Sequence, residues 1–118
     1  MKRREFKGEQ EMEGTAFILV RSVVANPDDR KAFDHWYHTD HIPLIFSKIA
    51  NVNQAWRFWS KSDPAVHYSL GEFSNMSEFQ QAASSEGFKY IVADYDRAWG
   101  TRVTRTRDLL EKVQHFSR

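Results

Sequence analysis

Hydrophobic residues along this chain fall into blocks whose spacing switches between a strand period and a helix period. Residues 15–24 read Thr-Ala-Phe-Ile-Leu-Val-Arg-Ser-Val-Val, nearly continuous in apolar character and rich in β-branched side chains, which predicts a buried central strand. Asn26-Pro27-Asp28-Asp29 follows as a helix start: Asn26 can cap, Pro27 suits the first helical position, and two acids sit at the positive end of the dipole. The first helix is expected to run toward Ile49, with Phe33, Trp36, Tyr37 and Leu44 on the arc that faces the sheet. Pro43 should kink that helix or divide it in two, because its ring clashes with the carbonyl four residues back and it has no N–H.

Residues 52–60 and 65–74 are aromatic-rich runs separated by Lys61-Ser62-Asp63-Pro64, which predicts an antiparallel hairpin. Trp56 and Phe58 alternate with Ala55, Arg57 and Trp59, and Val66, Tyr68 and Leu70 alternate with His67, Ser69 and Gly71. One set faces the helices and the other the opposite side; both assignments are open from the sequence. Asn75 or Ser77 can cap a second helix in which Met76, Phe79, Ala82 and Ala83 recur at helical spacing. Gly87 should interrupt it, a further helical piece covers residues 88–98, and Trp99-Gly100 ends that piece ahead of a last strand over about 101–110.

The order β-α-β-β-α-β predicts an α+β, ferredoxin-like domain: a four-stranded antiparallel sheet with both helices on one face. Two helices cover one face only. The open, apolar face predicts a homodimer in which two sheets close into an α+β barrel. One domain over residues 15–118 is expected, preceded by a flexible charged arm over residues 1–14.

Composition changes this picture in one respect. Aromatic residues make up 14% of the chain, with nine Phe, four Trp and four Tyr, and a core built from large rings with polar tips suits a pocket for a small hydrophobic or aromatic ligand; a plain aromatic core is the alternative. Seventeen Lys and Arg against sixteen Asp and Glu leave a net charge of +1, which gives no field for nucleic acid or an acidic membrane. Arg97, Arg102, Arg105 and Arg107 cluster near the last strand, where alternation with Thr104 and Thr106 reads as a solvated face. The chain has no cysteine, so thiolate nucleophiles and thiolate metal sites are excluded and a reducing cytoplasm is the expected location. No segment has the length of a transmembrane helix.

The chemistry concentrates in Asp34-His35-Trp36-Tyr37-His38-Thr39-Asp40-His41-Ile42-Pro43. Histidine titrates near neutrality, so such a cluster offers proton transfer, ligand hydrogen bonding or metal ligation. At about 100° per residue, Asp34, Tyr37 and His41 fall within roughly 60° of one another, with His38 on the flank. His41 is the candidate general base or hydrogen-bond donor, oriented by Tyr37 or Asp34; the competing reading is a helix-margin histidine whose ring bonds a backbone carbonyl freed by Pro43. His38, Trp36, Arg57 and His67 are candidate ligand contacts. The rings of His35, His38 and His41 fan across roughly 120°, too wide for one ion, so no metal site is expected.

The element order, the Tyr37-x-x-x-His41-x-Pro43 motif and Ala93-Asp94-Tyr95-Asp96-Arg97 resemble the EthD-like members of the dimeric α+β barrel superfamily. The resemblance spans residue 15 to about residue 113. It implies a homodimeric barrel with a small-molecule pocket, in a superfamily that includes cofactor-independent monooxygenases, muconolactone-type isomerases and polyketide cyclases, with haem-binding relatives further off; EthD-like proteins appear beside catabolic oxidation systems, and no cofactor is expected here. Two functions follow: an enzyme of catabolism or secondary metabolism acting on an aromatic or lactone-like compound, with His41 and Tyr37 as its polar groups, or a non-catalytic protein that holds a hydrophobic metabolite in the same cavity. A catalytic site should place a second polar group opposite His41, whereas a carrier needs only apolar walls.

Overall fold

The computed structural model describes residues 13–118. The expected arm over residues 1–14 lies outside the described residues except for Glu13 and Gly14. Gly14 is buried and its N–H donates to the Glu72 carboxylate.

Four strands, β1 (Ala16–Val23), β2 (Gln54–Trp59), β3 (Val66–Phe73) and β4 (Thr104–Glu111), form one antiparallel sheet in the order β2-β3-β1-β4. The continuous apolar run of β1 fits its place between β3 and β4, where both of its edges are paired and one of its faces lies under the helices. This is the ferredoxin-like arrangement expected from the element order.

The first crossover is not one helix. A 3-10 turn, Pro27–Asp29, is capped by Asn26, whose side chain accepts from the Asp28 N–H, and leads into α1 (Arg30–Trp36). A π-helical turn, Tyr37–His41, separates α1 from α2 (Ile42–Lys48). The break expected at Pro43 is therefore taken up ahead of the proline: the Ile42 N–H reaches back to the Tyr37 carbonyl, five residues away, and the widened turn leaves Pro43 in the first turn of α2, where its missing N–H costs nothing.

The second crossover contains α3 (Met76–Ala83), capped by the Asn75 side chain on the Glu78 N–H, and α4 (Glu86–Trp99), capped by Ser85 on the Phe88 N–H. The interruption expected at Gly87 lies instead at Ser84 and Ser85, and Gly87 sits within the first turn of α4. Its lack of a side chain serves packing, since a Cβ there would stand 2.2 Å from the Lys48 carbonyl oxygen at the end of α2. Gly100, at φ 51°, ends α4 in a backbone region suited to glycine.

Strand alternation and register place Ile18, Val20, Ala55, Arg57, His67, Ser69, Arg105 and Arg107 on the side facing the helices. Leu19, Trp56, Phe58, Tyr68, Leu70 and Leu110 project from the opposite side. Two apolar clusters hold the helices down: one joins Ala16, Phe73, Ile49 and Ile91, the other Phe33, Tyr37, Tyr95 and Trp99. Among the described residues no helix is long and apolar enough to cross a membrane.

Candidate functional site

A cavity opens where the two clusters meet, between the sheet and the helices. Its volume is about 70 Å³, and it is partly open to solvent. Ile18, Ile45, Ile49, Val52, Phe88 and Ile91 make the apolar wall. His41, Tyr37, Ser69, Tyr95, Arg105 and Arg107 make the polar one.

His41 enters from the π-helical turn and is 5% exposed. Its ring stacks on Trp36 with centroids 4.5 Å apart and planes at 21°, and meets Tyr37 and Tyr95 edge-on at 5.0 and 5.7 Å. Nδ1 stands 3.6 Å from Oδ2 of Asp94 on α4, beyond a formed hydrogen bond, and has no other partner. The ring therefore does not bond a carbonyl freed by Pro43. The other oxygen of Asp94 accepts from Arg97 at 3.3 Å. Burial pushes the His41 pKa down to about 4, against the opposing pull of Asp94, so the imidazole is neutral at neutral pH. A neutral imidazole beside a carboxylate can accept a proton, and the cation then formed gains Asp94 as a counter-ion.

Tyr37, 1% exposed, is held protonated, its pKa raised to about 12 by burial. Tyr95 is likewise raised by burial, and its hydroxyl shares a 2.7 Å hydrogen bond with Ser22 Oγ. Both phenols are hydrogen-bonding groups at neutral pH rather than bases. Arg105 lies over the Tyr95 ring at 3.9 Å and pairs with Asp96 at 3.0 Å.

Asp34 does not join Tyr37 and His41, as the helical wheel expected. It turns toward β2, where Oδ1 accepts from Trp59 Nε1 at 2.7 Å and Arg57 Nη2 at 2.5 Å. The π-helical turn swings His41 away from the Asp34 direction, and the two donors on β2 fix the carboxylate on the other side. Trp59 first, and Arg57 after it, hold the Asp34 carboxyl below its ordinary range. Arg57 Nε also donates to His67 Nε2 at 3.1 Å, which places the His67 proton on Nδ1, a buried atom without a partner. Burial and then Arg57 push the His67 pKa down to about 4. Arg57, half-buried, and the buried His67 thus form a network beside Tyr37, with His67 and Tyr37 ring centroids 4.6 Å apart, and neither lines the cavity. Trp36 reaches the site through its stack on His41. His38 is exposed, as is His35, and neither lines the cavity.

Asp94, Tyr95, Ser69, Arg105 and Arg107 were not among the sequence candidates. The expected solvated face of the last strand is corrected: Thr104 and Thr106 are exposed on the open side, while Arg105 and Arg107, each one residue out of phase, face the helices and line the cavity. The signal was the alternation itself, which could be assigned only once the helix-covered face of β4 was known.

No protein-family model and no curated protein matches the chain in sequence. Solved structures do match in fold. An ethyl tert-butyl ether D (EthD) family protein from Bacillus halodurans has a TM-score of 0.57 at 20% identity, over 78% of this chain and 96% of that one. SnoaB, a cofactor-independent oxygenase from Streptomyces nogalater, has a TM-score of 0.60 at 13% identity, over 89% and 99%. HapK from Hahella chejuensis has a TM-score of 0.64 at 10% identity, over 87% and 97%. The chain is a ferredoxin-like α+β protein. Its fold is that of the EthD family protein and of SnoaB, in agreement with the fold that the resemblance to EthD-like proteins implies.

Proposed function

We propose that this protein is a small-molecule enzyme that works without a cofactor, carrying out isomerisation, cyclisation or substrate-assisted oxygenation on an aromatic or lactone-like metabolite. The observation that carries the reading is a buried, neutral His41 whose Nδ1 faces Asp94 and whose ring lines a cavity of mainly apolar walls together with Tyr37, Ser69, Tyr95, Arg105 and Arg107. His41 takes a proton from an acidic C–H or O–H of the substrate. The electron pair stays on the substrate as an enolate or phenolate, the imidazolium is balanced by Asp94, and the proton returns at another position in an isomerisation or cyclisation. The polar groups across from His41 favour catalysis over carriage, since a carrier needs apolar walls alone. The likeness in fold to the oxygenase SnoaB supports the same reading.

The protein acts as a homodimer in this proposal. Leu19, Trp56, Phe58, Tyr68, Leu70 and Leu110 share a sheet face over which the described residues lay no helix, and Phe58 is 49% exposed.

Deuterium exchange into an enolisable aromatic ketone such as 2-tetralone, followed by proton NMR in D₂O, tests the chemistry. The wild type should accelerate exchange, His41→Ala should lose about 100-fold or more of that acceleration while keeping its thermal midpoint, and Tyr37→Phe should lose less. Tight binding of the ketone with no accelerated exchange would favour the carrier.

A further inference from the structure

The cavity wall carries two arginines and no acidic residue. Arg105 and Arg107 sit two positions apart on β4, both turned toward the helices, opposite Ser22 and Val20 of β1. Their electrostatic situations differ. Arg105 is mostly buried, matched by Asp96 and stacked on Tyr95. Arg107 lines the cavity and is also exposed, which sets it at the rim, and among the described residues it forms no ion pair. Burial first, and the neighbouring Arg105 after it, lower its pKa, against the opposing pull of Asp96. A guanidinium at the mouth of a largely apolar cavity, with no ion pair of its own and with the nearby Asp96 already paired to Arg105, gains from an anion that enters with an apolar body behind it.

We propose that the ligand is an anionic aromatic compound: a flat apolar body among Ile45, Phe88 and Ile91, with a carboxylate or an ionised phenol or enol oxygen held by Arg107 and supported by Arg105. This rests on the cavity being the working site, as proposed above. It adds the substrate class: the anion anchors at the rim and the reacting C–H or O–H is presented to His41. Because the imidazole is neutral, the two arginines are the cavity's cations, and an anionic ligand meets no carboxylate on the wall.

Calorimetric titration with 2-naphthoate and its neutral isostere 2-naphthamide, each on the wild type, Arg107→Met and His41→Ala, tests this. The wild type should bind naphthoate at least about tenfold more tightly than the amide, and the preference should shrink with added salt. Arg107→Met should remove most of that preference and leave amide affinity within about twofold. Equal affinities for the two ligands in the wild type would overturn the anion inference, as would an unchanged preference in Arg107→Met. If the amide still bound and were lost in His41→Ala, the cavity reading would survive that result. Absence of binding of either ligand at millimolar concentration would overturn both readings.

Discussion

Two histidines that cannot charge without penalty sit at the centre of this molecule. The folded His41 and His67 both have pKa values near 4, below the ordinary 6.5. Between those values the unfolded chain binds more protons than the folded one, so stability is fully present above about pH 6.5 and falls as the pH drops toward 4, by on the order of 3 kcal/mol for each ring at the acid end. Asp34 titrates below this window and does not offset it. The thermal midpoint should be flat from pH 8 to about 6.5 and decline below, and a midpoint unchanged down to pH 4.5 would mean that neither ring is buried neutral. His41 was legible in the sequence as a candidate, since its cluster with Trp36 and Tyr37 is dense in groups that titrate or bind. Its partner was not: Asp94 is 53 positions away, and only the packing of α4 against the π-helical turn brings the two together.

That turn is the element on which the site depends, and it shows where sequence reasoning reaches its limit. Pro43 announced a break, because its chemistry forbids a regular helix through it. Which of the preceding residues would absorb the extra length was decided by tertiary packing, and the choice of Tyr37–His41 rotated Asp34 out of the site and His41 toward Asp94. The strands and helix caps at Asn26 and Asn75 follow from local chemistry and stood in the sequence nearly as they stand in the fold. Gly87 was misread for a related reason: a glycine that reads as a helix breaker is required by the close approach of α4 to the end of α2. Gly87→Ala should therefore destabilise the protein by about 1–3 kcal/mol, although alanine is the better helix former by about 1 kcal/mol. Chemical denaturation decides the sign, and a stabilised variant would show that the two helices separate without penalty.

At the scale of the whole molecule, the sheet divides two environments. Its helix-covered face holds the cavity, and its open face presents Leu19, Trp56, Phe58, Tyr68, Leu70 and Leu110. A chain of this size gains substantially from covering such a face with a second copy. Light scattering at micromolar concentration should give twice the mass of one chain, and Phe58→Glu should give one chain's mass; a monomeric wild type would remove the basis for the barrel. The cavity reading makes a separable claim about the other face. Titration of 2-naphthoate into isotopically labelled protein, read by amide chemical shifts, locates the ligand without assuming any reaction. The expected shifts lie in the Tyr37–His41 turn, in α4 around Asp94 and Tyr95, and in β4 at Arg105 and Arg107; shifts confined to Trp56, Phe58 and Leu70 on the open face, or to α1 around Asp34 and the end of β2 at Trp59, would contradict the assignment of the cavity as the site.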